Sequence, residues 1–313
     1  MLEQIPIFLS ADDNYARYCA VTILSILKNT QKPEELHFYI FSPDITNENT
    51  RKIDQLCSSF NSNLSIIKID LNLFKSLPEI EHVNLNTYTR LITPELSKIN
   101  CNIILLDCDI IVLSEIADFY KYNLKTFSLG AIPHVQFPYQ EIFLKKFEIQ
   151  NEDFYFNAGV MLINGDTWQK NDYSDKTFVF ASDNADKLQF QEQDALNAVF
   201  WCNYCHLPGE WNVEARLYKE KLLGLPQTEE ITHRMKNAKI IHYTGPDKPW
   251  KSKNYVPMRH LYLYYSEMLS EEFGWLPSKP EPKSCSPLAM IKFIWSCIYF
   301  RTSYIFKKIF KFI

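Results

Sequence analysis

The chain has 313 residues, of which 46% are hydrophobic and 22% are charged, and this composition excludes a disordered protein. A formal net charge of −4 argues against a general nucleic-acid-binding protein. From Pro282 onward the chain has six Lys and Arg residues and no acidic residue, so this tail carries +6 and the preceding residues carry −10. The tail is therefore considered separately from the body.

The N-terminus leads almost directly into an apolar run at Ile5, without the basic segment and cleavage site of a secretory signal. We therefore expect a cytoplasmic protein whose eight cysteines are reduced thiols. Cys202, Cys205 and His206 match the C-x-x-C-H form of covalent haem attachment. Because that attachment normally follows export, we set haem aside and expect both thiols to pack as small apolar groups.

The order of predicted elements indicates an α/β fold. Six short apolar runs predict buried strands: Ile5–Ser10, Leu36–Ser42, Leu64–Ile69, Ile103–Leu106, Gly159–Ile163 and Ala238–His242. Helical spacing predicts helices over Tyr15–Lys28 and over Thr46–Phe60, the second with Thr46 as its N-cap. Strands that alternate with helices predict a mostly parallel sheet wound with helices.

The glycines limit how the chain can bind a phosphate. The seven glycines are too widely spaced for either a G-x-G-x-x-G motif or a P-loop. If the fold binds a diphosphate, a cation must therefore supply much of the positive charge.

An acidic triplet, Asp107-Cys108-Asp109, directly follows the predicted strand Ile103–Leu106. Ligands of open α/β sheets bind beyond the carboxyl ends of the strands. Alternate residues of an extended chain share a face, so Asp107 and Asp109 can point at one Mg²⁺ or Mn²⁺ ion. Alone, the triplet also fits an acidic turn that faces water.

A second candidate ligand, His242, ends the last predicted strand, and a neutral histidine beside two carboxylates favours Mn²⁺ over Mg²⁺. After it, Gly245 would let the backbone approach a phosphate and Lys248 could meet the phosphate's charge. The same run also fits an ordinary Gly-Pro turn after a core histidine.

The run Ser10–Tyr15 follows the first predicted strand and holds several polar acceptors and one aromatic ring. These groups could hydrogen-bond to and stack on a nucleobase. Asp and Asn also favour helix N-caps, and the two interpretations are compatible.

Six segments in this order resemble glycosyltransferase family 8, especially its bacterial lipooligosaccharide and lipopolysaccharide galactosyl- and glucosyltransferases. They are Ala11–Tyr15, Thr87–Leu91, Leu106–Asp109, Phe156–Val160, Gln191–Asp194 and His242–Trp250. The resemblance covers residues 5–275. It implies a GT-A fold, a UDP-hexose donor, Mn²⁺ and retention of the anomeric configuration.

The resemblance also implies roles for individual positions. It implies that the metal ligands are Asp107, Asp109 and His242. It implies that the uridine is bound by Ala11, Asp12, Asn14 and Tyr15, and the diphosphate by Gly245 and Lys248, with Cys108 also part of the donor site. Around the sugar it implies Arg90, Asn157, Glu192 and Gln193. Of these, Arg90, Glu192 and Gln193 are the candidate catalytic residues. The stretch Leu207–Asn212 resembles the family's segment near the acceptor.

Retention requires either a nucleophile on the far face of the sugar or attack from the leaving-group side. The amide oxygen of Gln193 is weakly basic and a poor nucleophile, so we expect same-face attack, with Gln193 and Glu192 orienting the sugar. Cys108 stands where the family usually has an aliphatic residue, which a buried thiol can replace. Pro133-His134 stands where these galactosyltransferases tend to have a carboxylate, so the donor or the acceptor geometry is expected to differ there.

The predicted domains are a GT-A domain over residues 1–275, a Pro-rich linker over 276–289 and a basic, aromatic amphipathic helix over 290–313. The helix has no apolar run long enough to span a bilayer, but it suits an anionic membrane interface. Packing on the body or on another subunit is the alternative. The membrane interpretation predicts a peripheral enzyme on the inner face of the cytoplasmic membrane with a glycolipid acceptor.

Two other functions compete with this hypothesis. A haloacid-dehalogenase-like phosphatase also carries Asp-x-Asp after an apolar strand, although near the start of its domain, whereas this triplet lies a third of the way along the chain. A non-catalytic UDP-sugar-binding module would bind UDP without turnover.

Overall fold

Two β-sheets organise this computed structural model, which describes residues 4–75, 77, 85–97, 99–135, 137–150, 152–251 and 255–276. The strands are β1 Ile5–Ser10, β2 Leu36–Ser42, β3 Asn63–Lys68, β4 Asn102–Leu106, β5 Ile110–Val112, β6 Leu129–Pro133, β7 Phe156–Asn164, β8 Cys205–His206, β9 Val213–Glu214 and β10 Ile240–His242. The α-helices are α1 Ala16–Lys28, α2 Asn47–Ser58, α3 Thr93–Ser97, α4 Ile116–Tyr120, α5 Tyr139–Lys146, α6 Gly165–Lys170, α7 Tyr173–Asp183, α8 Gln191–Val199, α9 Ala215–Leu222, α10 Glu229–Lys236 and α11 Arg259–Phe273. The predicted tail over 290–313 and all of the predicted linker except Leu276 lie outside the described residues.

The main sheet has seven strands in the order β3-β2-β1-β4-β7-β6-β8. All neighbouring pairs are parallel except those of β7, which runs antiparallel to both β4 and β6. The predicted mostly parallel α/β sheet is therefore confirmed, with one reversed strand. A smaller sheet has the order β5-β10-β9, so the strand predicted at Ala238–His242 forms outside the main sheet.

Alternation along the first strand explains how the main sheet is covered on both faces. Ile7 and Leu9 pack into one apolar cluster, whereas Phe8, between them, packs into another. Successive side chains of a strand point to opposite faces, so a sheet that is buried on both faces needs continuous apolar strands. Helix α1 covers the first of these faces and is itself buried along almost its whole length.

The predicted helix N-cap at Thr46 is confirmed, because its side chain accepts a hydrogen bond from the backbone N–H of Asn49. Cys108 is buried, as expected for a thiol that replaces an aliphatic side chain. The expectation for the C-x-x-C-H run is wrong in one respect. Cys202 is exposed rather than packed, because it precedes the sheet, and Cys205 is half-buried, because it begins the short edge strand β8.

Four hydrogen bonds to the backbone fix the acidic triplet and the following Ile110 at the carboxyl end of β4. The hydroxyl of Thr22 on α1 lies 3.1 Å from the carbonyl oxygen of Cys108 and 3.0 Å from that of Ile110. The backbone N–H of Asp107 donates to the carbonyl of Gly159, and the carbonyl of Asp109 accepts from the backbone N–H of Tyr243. The triplet is thereby held between α1, β7 and the segment after β10.

The pairing of β6 and β7 changes register close to the triplet. Ala131 lies opposite Met161, but Pro133 lies opposite Phe156. The residues of β7 between these two pairs therefore face Ile132 alone. Such a bulge leaves backbone groups without a partner in the ladder.

None of the helices in the described part of the chain is both long and apolar enough to cross a membrane.

We expect Thr22→Val to lower the free energy of unfolding by about 1–3 kcal/mol, because it leaves two buried carbonyl oxygens without their hydroxyl donor. Urea denaturation followed by circular dichroism would measure this change. Thr22→Ser keeps the hydroxyl and is the matched control. Equal stability of the Val and Ser variants would show that the Thr22 hydroxyl does not hold the triplet.

Candidate active site

Asp107, Asp109 and His242 come together where β4 ends and β10 pairs with β5. Their ligand atoms all lie within 4.8 Å of one another. Nε2 of His242 lies 3.0 Å from Oδ1 of Asp109 and 3.4 Å from Oδ2 of Asp107. The pairing of His242 with Ile110 explains the proximity, because Ile110 directly follows the triplet.

The middle residue of the triplet points away from this group. The thiol of Cys108 lies 3.3 Å from the carbonyl oxygen of Ser10 and packs in the core. The two aspartates therefore share one side of the chain, as alternate residues of an extended segment do.

Two basic side chains pair with the carboxylates. Arg90 contacts both Asp107 and Glu192, and Lys248 contacts Asp109. Burial by itself raises the pKa of Asp107, but Arg90 and His242 outweigh it and lower that pKa. Burial likewise opposes ionisation of Asp109, but Lys248 and His242 hold its pKa well below the usual range. Both carboxylates are therefore ionised at neutral pH.

His242 responds to the two carboxylates in the opposite direction. Burial by itself lowers its pKa, but the negative charges of Asp109 and Asp107 outweigh burial and raise the pKa to about 9. A positive charge between Asp107, Asp109 and His242 is therefore stabilised, and either a proton on Nε2 or a metal ion can provide it.

The donor set fits a divalent cation. Oδ1 of Asp109 is buried and faces Nε2 of His242 at 3.0 Å, so it can accept the Nε2 proton or bind an ion in place of that proton. Carboxylate oxygens with one imidazole nitrogen suit Mn²⁺ or Mg²⁺ chemistry. Asp107, Asp109 and His242 form the one group in the described part of the chain whose His, Cys, Asp and Glu ligand atoms could jointly hold a metal.

Gly159 makes room for this group from the facing strand β7. A methyl group at its position would clash with Cε1 of His242 and would lie 2.5 Å from Oδ2 of Asp107. The absence of a side chain here allows β7 to pass directly beneath the ligands. The prediction from the sequence did not single out this glycine as a site residue.

The residues predicted around the donor sugar also lie together. Arg90 is held by Glu192, whose own pKa is raised by burial against the opposing effect of Arg90. Oε1 of Gln193 accepts from Nδ2 of Asn157 and from the backbone N–H of Ala158, each at 3.0 Å. Both lone pairs of the Gln193 carbonyl oxygen are thus engaged.

The predicted uridine residues follow β1. Ala11 is buried, and Asp12 caps the short 3₁₀ helix Asp13–Tyr15, which confirms the N-cap interpretation. Asn14 is exposed. Tyr15 is 40% exposed, and its partial burial, with a smaller effect of the charge of Asp109, raises its pKa.

Trp250 forms the wall of this region, a contact that the sequence did not reveal. Its ring lies edge-on to that of Tyr15, with centroids 6.1 Å apart, and stacks on Tyr18 at 4.0 Å. Tyr15 thus stands against a fixed aromatic pair.

Gly245 occupies a left-handed turn with φ of +82°, and no heavy atom lies within 4 Å of the position of a Cβ there. Such a backbone conformation favours glycine. Together with Lys248, whose Nζ also donates to the carbonyl of Tyr243 at 2.8 Å, the turn borders the acidic triplet on its open side.

His134, at the position where a carboxylate was expected from the family pattern, contacts the carboxylate of Glu214 on β9. Arg216 lies 2.7 Å from Nε2 of His134 and 2.9 Å from Oε2 of Glu214. Burial opposes ionisation of Glu214, but His134 and Arg216 hold its pKa well below the usual range. A negative charge is thus present next to His134, supplied by a residue distant in sequence.

Comparison with known proteins identifies the family to which this chain belongs. The profile of "Glycosyl transferase family 8" matches residues 6–254. The chain belongs to glycosyltransferase family 8. It is therefore a nucleotide-sugar-dependent glycosyltransferase, and the phosphatase and non-catalytic alternatives receive no support.

Curated relatives of this family 8 chain include General stress protein A of Bacillus subtilis, with 28% identity over 82% of this chain and 90% of the relative. A lipopolysaccharide 1,2-glucosyltransferase of Escherichia coli is 30% identical over 76% of this chain and 71% of the relative. The crystal structure of galactosyltransferase LgtC with donor and acceptor sugar analogues has a TM-score of 0.74 and 24% identity, covering 88% of this chain and 98% of LgtC. This likeness confirms the GT-A fold.

We expect Mn²⁺ binding at pH 7 to release about one proton, because His242, with a pKa of about 9, is protonated without metal and must lose the Nε2 proton to bind it. Because the pKa of His242 is raised, protons compete with the metal ion for Nε2 throughout the range below pH 9, and more strongly as the pH falls. Affinity should therefore rise roughly tenfold per pH unit from 7 towards 9. Calorimetry in buffers with different ionisation enthalpies counts the protons, and binding without proton release would contradict this picture.

Gly159→Ala should weaken Mn²⁺ binding at least about tenfold, because the new methyl group displaces Asp107 and His242. Gly165→Ala is the matched control at the first residue of α6, directly after β7, where the methyl group would meet the backbone oxygen of Ile99 instead. Titration of free Mn²⁺ by electron paramagnetic resonance compares the two variants, with thermal unfolding as the test of folding. Equal losses of affinity would show that general destabilisation, not a local clash, is responsible.

Proposed function

We propose that this family 8 enzyme is a retaining hexosyltransferase that transfers galactose or glucose from a UDP-sugar to a lipooligosaccharide or lipopolysaccharide core acceptor. The observation that carries the proposal is the convergence of Asp107, Asp109 and His242 with Arg90 and Lys248 at the carboxyl edge of the sheet. The names of the Escherichia coli glucosyltransferase and of galactosyltransferase LgtC support the hexose and the acceptor class.

The donor would lie across this edge of the sheet. Ala11, Asp12, Asn14 and Tyr15 would bind the uridine, with Tyr15 backed by Trp250. The backbone at Gly245 and the ammonium group of Lys248 would meet the diphosphate. The open space at Gly245 supports a close approach of phosphate oxygens.

Asp107, Asp109 and His242 would hold Mn²⁺, while Cys108 acts as a buried spacer. When bound, this ion would supply positive charge to the phosphate oxygens of the departing UDP. Lys248, now paired with Asp109, and Arg90, now paired with Asp107, are the protein's own cations for the same charge. Their stabilisation grows as the bond to the sugar breaks.

Glu192, Gln193 and Asn157 would surround the sugar. The two hydrogen bonds to the carbonyl oxygen of Gln193 leave it poorly available for attack on the anomeric carbon. This supports a role for Gln193 in orienting the sugar, with the acceptor hydroxyl attacking from the face that UDP leaves. Arg90 and Glu192 would complete the catalytic group.

The acceptor would be a membrane-borne glycolipid, reached from the cytoplasmic face. The basic residues of the tail over 290–313 support contact with an anionic membrane, which would make the enzyme peripheral. On the protein side, His134 and Glu214 line a narrow space with Asn157 and Asn212 that is too small for a sugar, so this pair would lie beside the residues around the donor sugar.

We expect UDP release from UDP-galactose or UDP-glucose that requires Mn²⁺ and stops when a chelator is added. Asp109→Asn should lower the metal-dependent rate at least about 100-fold, because it removes a charged ligand while keeping the shape of the side chain. A coupled assay for UDP measures the rate, with each donor tested separately.

Asp166→Asn serves as the control, because the half-exposed side chain of Asp166 pairs with Lys170 on α6. It should leave UDP release unchanged. Unaltered activity of Asp109→Asn would contradict the proposed metal site, and phosphate release from a monoester without use of a UDP-sugar would contradict the proposed reaction.

A further inference from the structure

A chain of side-chain amides runs behind the candidate metal site. Oδ1 of Asn212 lies 2.9 Å from Nδ1 of His242, and Nδ2 of Asn212 donates to Oδ1 of Asn157 at 3.0 Å. Nδ2 of Asn157 donates in turn to Oε1 of Gln193 at 3.0 Å. Asn212 and His242 are both buried.

Two backbone N–H groups determine which way each amide faces. An N–H can only donate, so the Asn157 atom 3.0 Å from the N–H of Gly159 must be its oxygen. In the same way, the Gln193 atom 3.0 Å from the N–H of Ala158 must be its oxygen. Asn157 therefore presents its oxygen to Asn212 and its NH₂ group to Gln193.

The orientation of Asn157 determines that of Asn212, which in turn determines which nitrogen of His242 carries the hydrogen. Because Asn157 offers an oxygen, Asn212 must turn its NH₂ group towards Asn157 and its oxygen towards His242. An amide oxygen can only accept, so Nδ1 of His242 must carry a hydrogen. In neutral His242 the lone pair then lies on Nε2, the nitrogen that faces Asp107 and Asp109.

We propose that Asn212 is a positioning residue that fixes His242 in the Nδ1–H tautomer and so prepares Nε2 for the metal. This inference rests on the proposed metal site of Asp107, Asp109 and His242. Partners of this kind orient a metal-bound histidine and raise its basicity, and their loss typically weakens metal binding 10–100-fold.

The opposite tautomer is disfavoured by the same contacts. With its hydrogen on Nε2, His242 would turn a lone pair towards the oxygen of Asn212. Rotation of the Asn212 amide would relieve that repulsion but would bring two oxygens together at Asn157, which the N–H of Gly159 holds in place. The tautomer of His242 is thus set by the backbone N–H of Gly159, which lies 53 residues before Asn212 in the sequence.

The same amides continue to the sugar-orienting residue. Nε2 of Gln193 donates to the hydroxyl of Tyr155 at 3.1 Å, and that hydroxyl donates to Oδ1 of the buried Asp194 at 2.6 Å. Asn212 therefore connects the metal ligand to Gln193 through Asn157. A change at Asn212 should act on metal affinity and on turnover through two separate hydrogen bonds.

Two variants of Asn212 separate these bonds. Asn212→Ala removes both, and we expect the Kd for Mn²⁺ in the presence of saturating UDP to rise about 10–100-fold. Asn212→Asp keeps an oxygen acceptor for Nδ1–H but cannot donate to Asn157. It should bind Mn²⁺ at least as tightly as the unmodified enzyme and yet release UDP at least about tenfold more slowly, because Asn157 and Gln193 lose their alignment.

Electron paramagnetic resonance of free Mn²⁺ measures the Kd, and Asn197→Ala is the control. Asn197 is buried like Asn212 and is hydrogen-bonded to the backbone of Phe156, but it does not contact His242. It should leave the Kd for Mn²⁺ within about twofold of the unmodified enzyme. An unchanged Kd in Asn212→Ala, or equal losses in the Ala variants of Asn212 and Asn197, would overturn the inference.

Asp109→Asn, measured in the same titration, distinguishes failure of this inference from failure of the proposed function. If Asp109→Asn loses Mn²⁺ binding while Asn212→Ala retains it, the metal site stands and Asn212 has no positioning role. If Asp109→Asn binds Mn²⁺ normally, the metal site itself is wrong and the inference about Asn212 fails with it.

Discussion

Two ionised carboxylates, Asp107 and Asp109, lie side by side in a largely buried place, and their mutual repulsion constrains everything around them. Three basic groups neutralise this negative charge: Arg90, Lys248 and the protonated His242. Each of these groups also attracts phosphate. A cation that binds the carboxylates and a diphosphate that binds the basic groups would therefore compete with the same ion pairs. Binding of either one would rearrange the pairs between the carboxylates and the basic groups.

The fold is what holds these charges at so short a distance. Asp107 extends a strand of the main sheet, His242 ends a strand of the smaller sheet, and Gly159 on the reversed strand β7 leaves the space between them open. Thr22 secures the triplet from the helix side. A site that spans two sheets requires both to be fixed relative to the same helix, and the burial of α1 provides that fixed element.

The strand ends were predictable because local apolar runs determine them. The bounds of β1 and β2 agree with the prediction. The three candidate metal ligands followed from two carboxylates directly after one apolar run and a histidine at the end of another. Asn212 was not predictable as a partner of His242, because that contact depends on how a 3₁₀ turn lies against β10. Glu214 beside His134 was equally hidden, since it is set by pairing between β9 and β10 rather than by a local pattern.

The break in register between β6 and β7 has a chemical consequence. In a regular ladder, the N–H groups of Ala158 and Gly159 would be available chiefly to the carbonyls of a neighbouring strand. Here they donate to the side chains of Gln193 and Asn157 instead. The oxygen and the NH₂ group of a side-chain amide have similar shapes, so packing alone does not determine which of them faces a given neighbour. The backbone N–H groups freed by the irregular pairing thus determine which way the amides of Gln193, Asn157 and Asn212 face, up to their contact with His242.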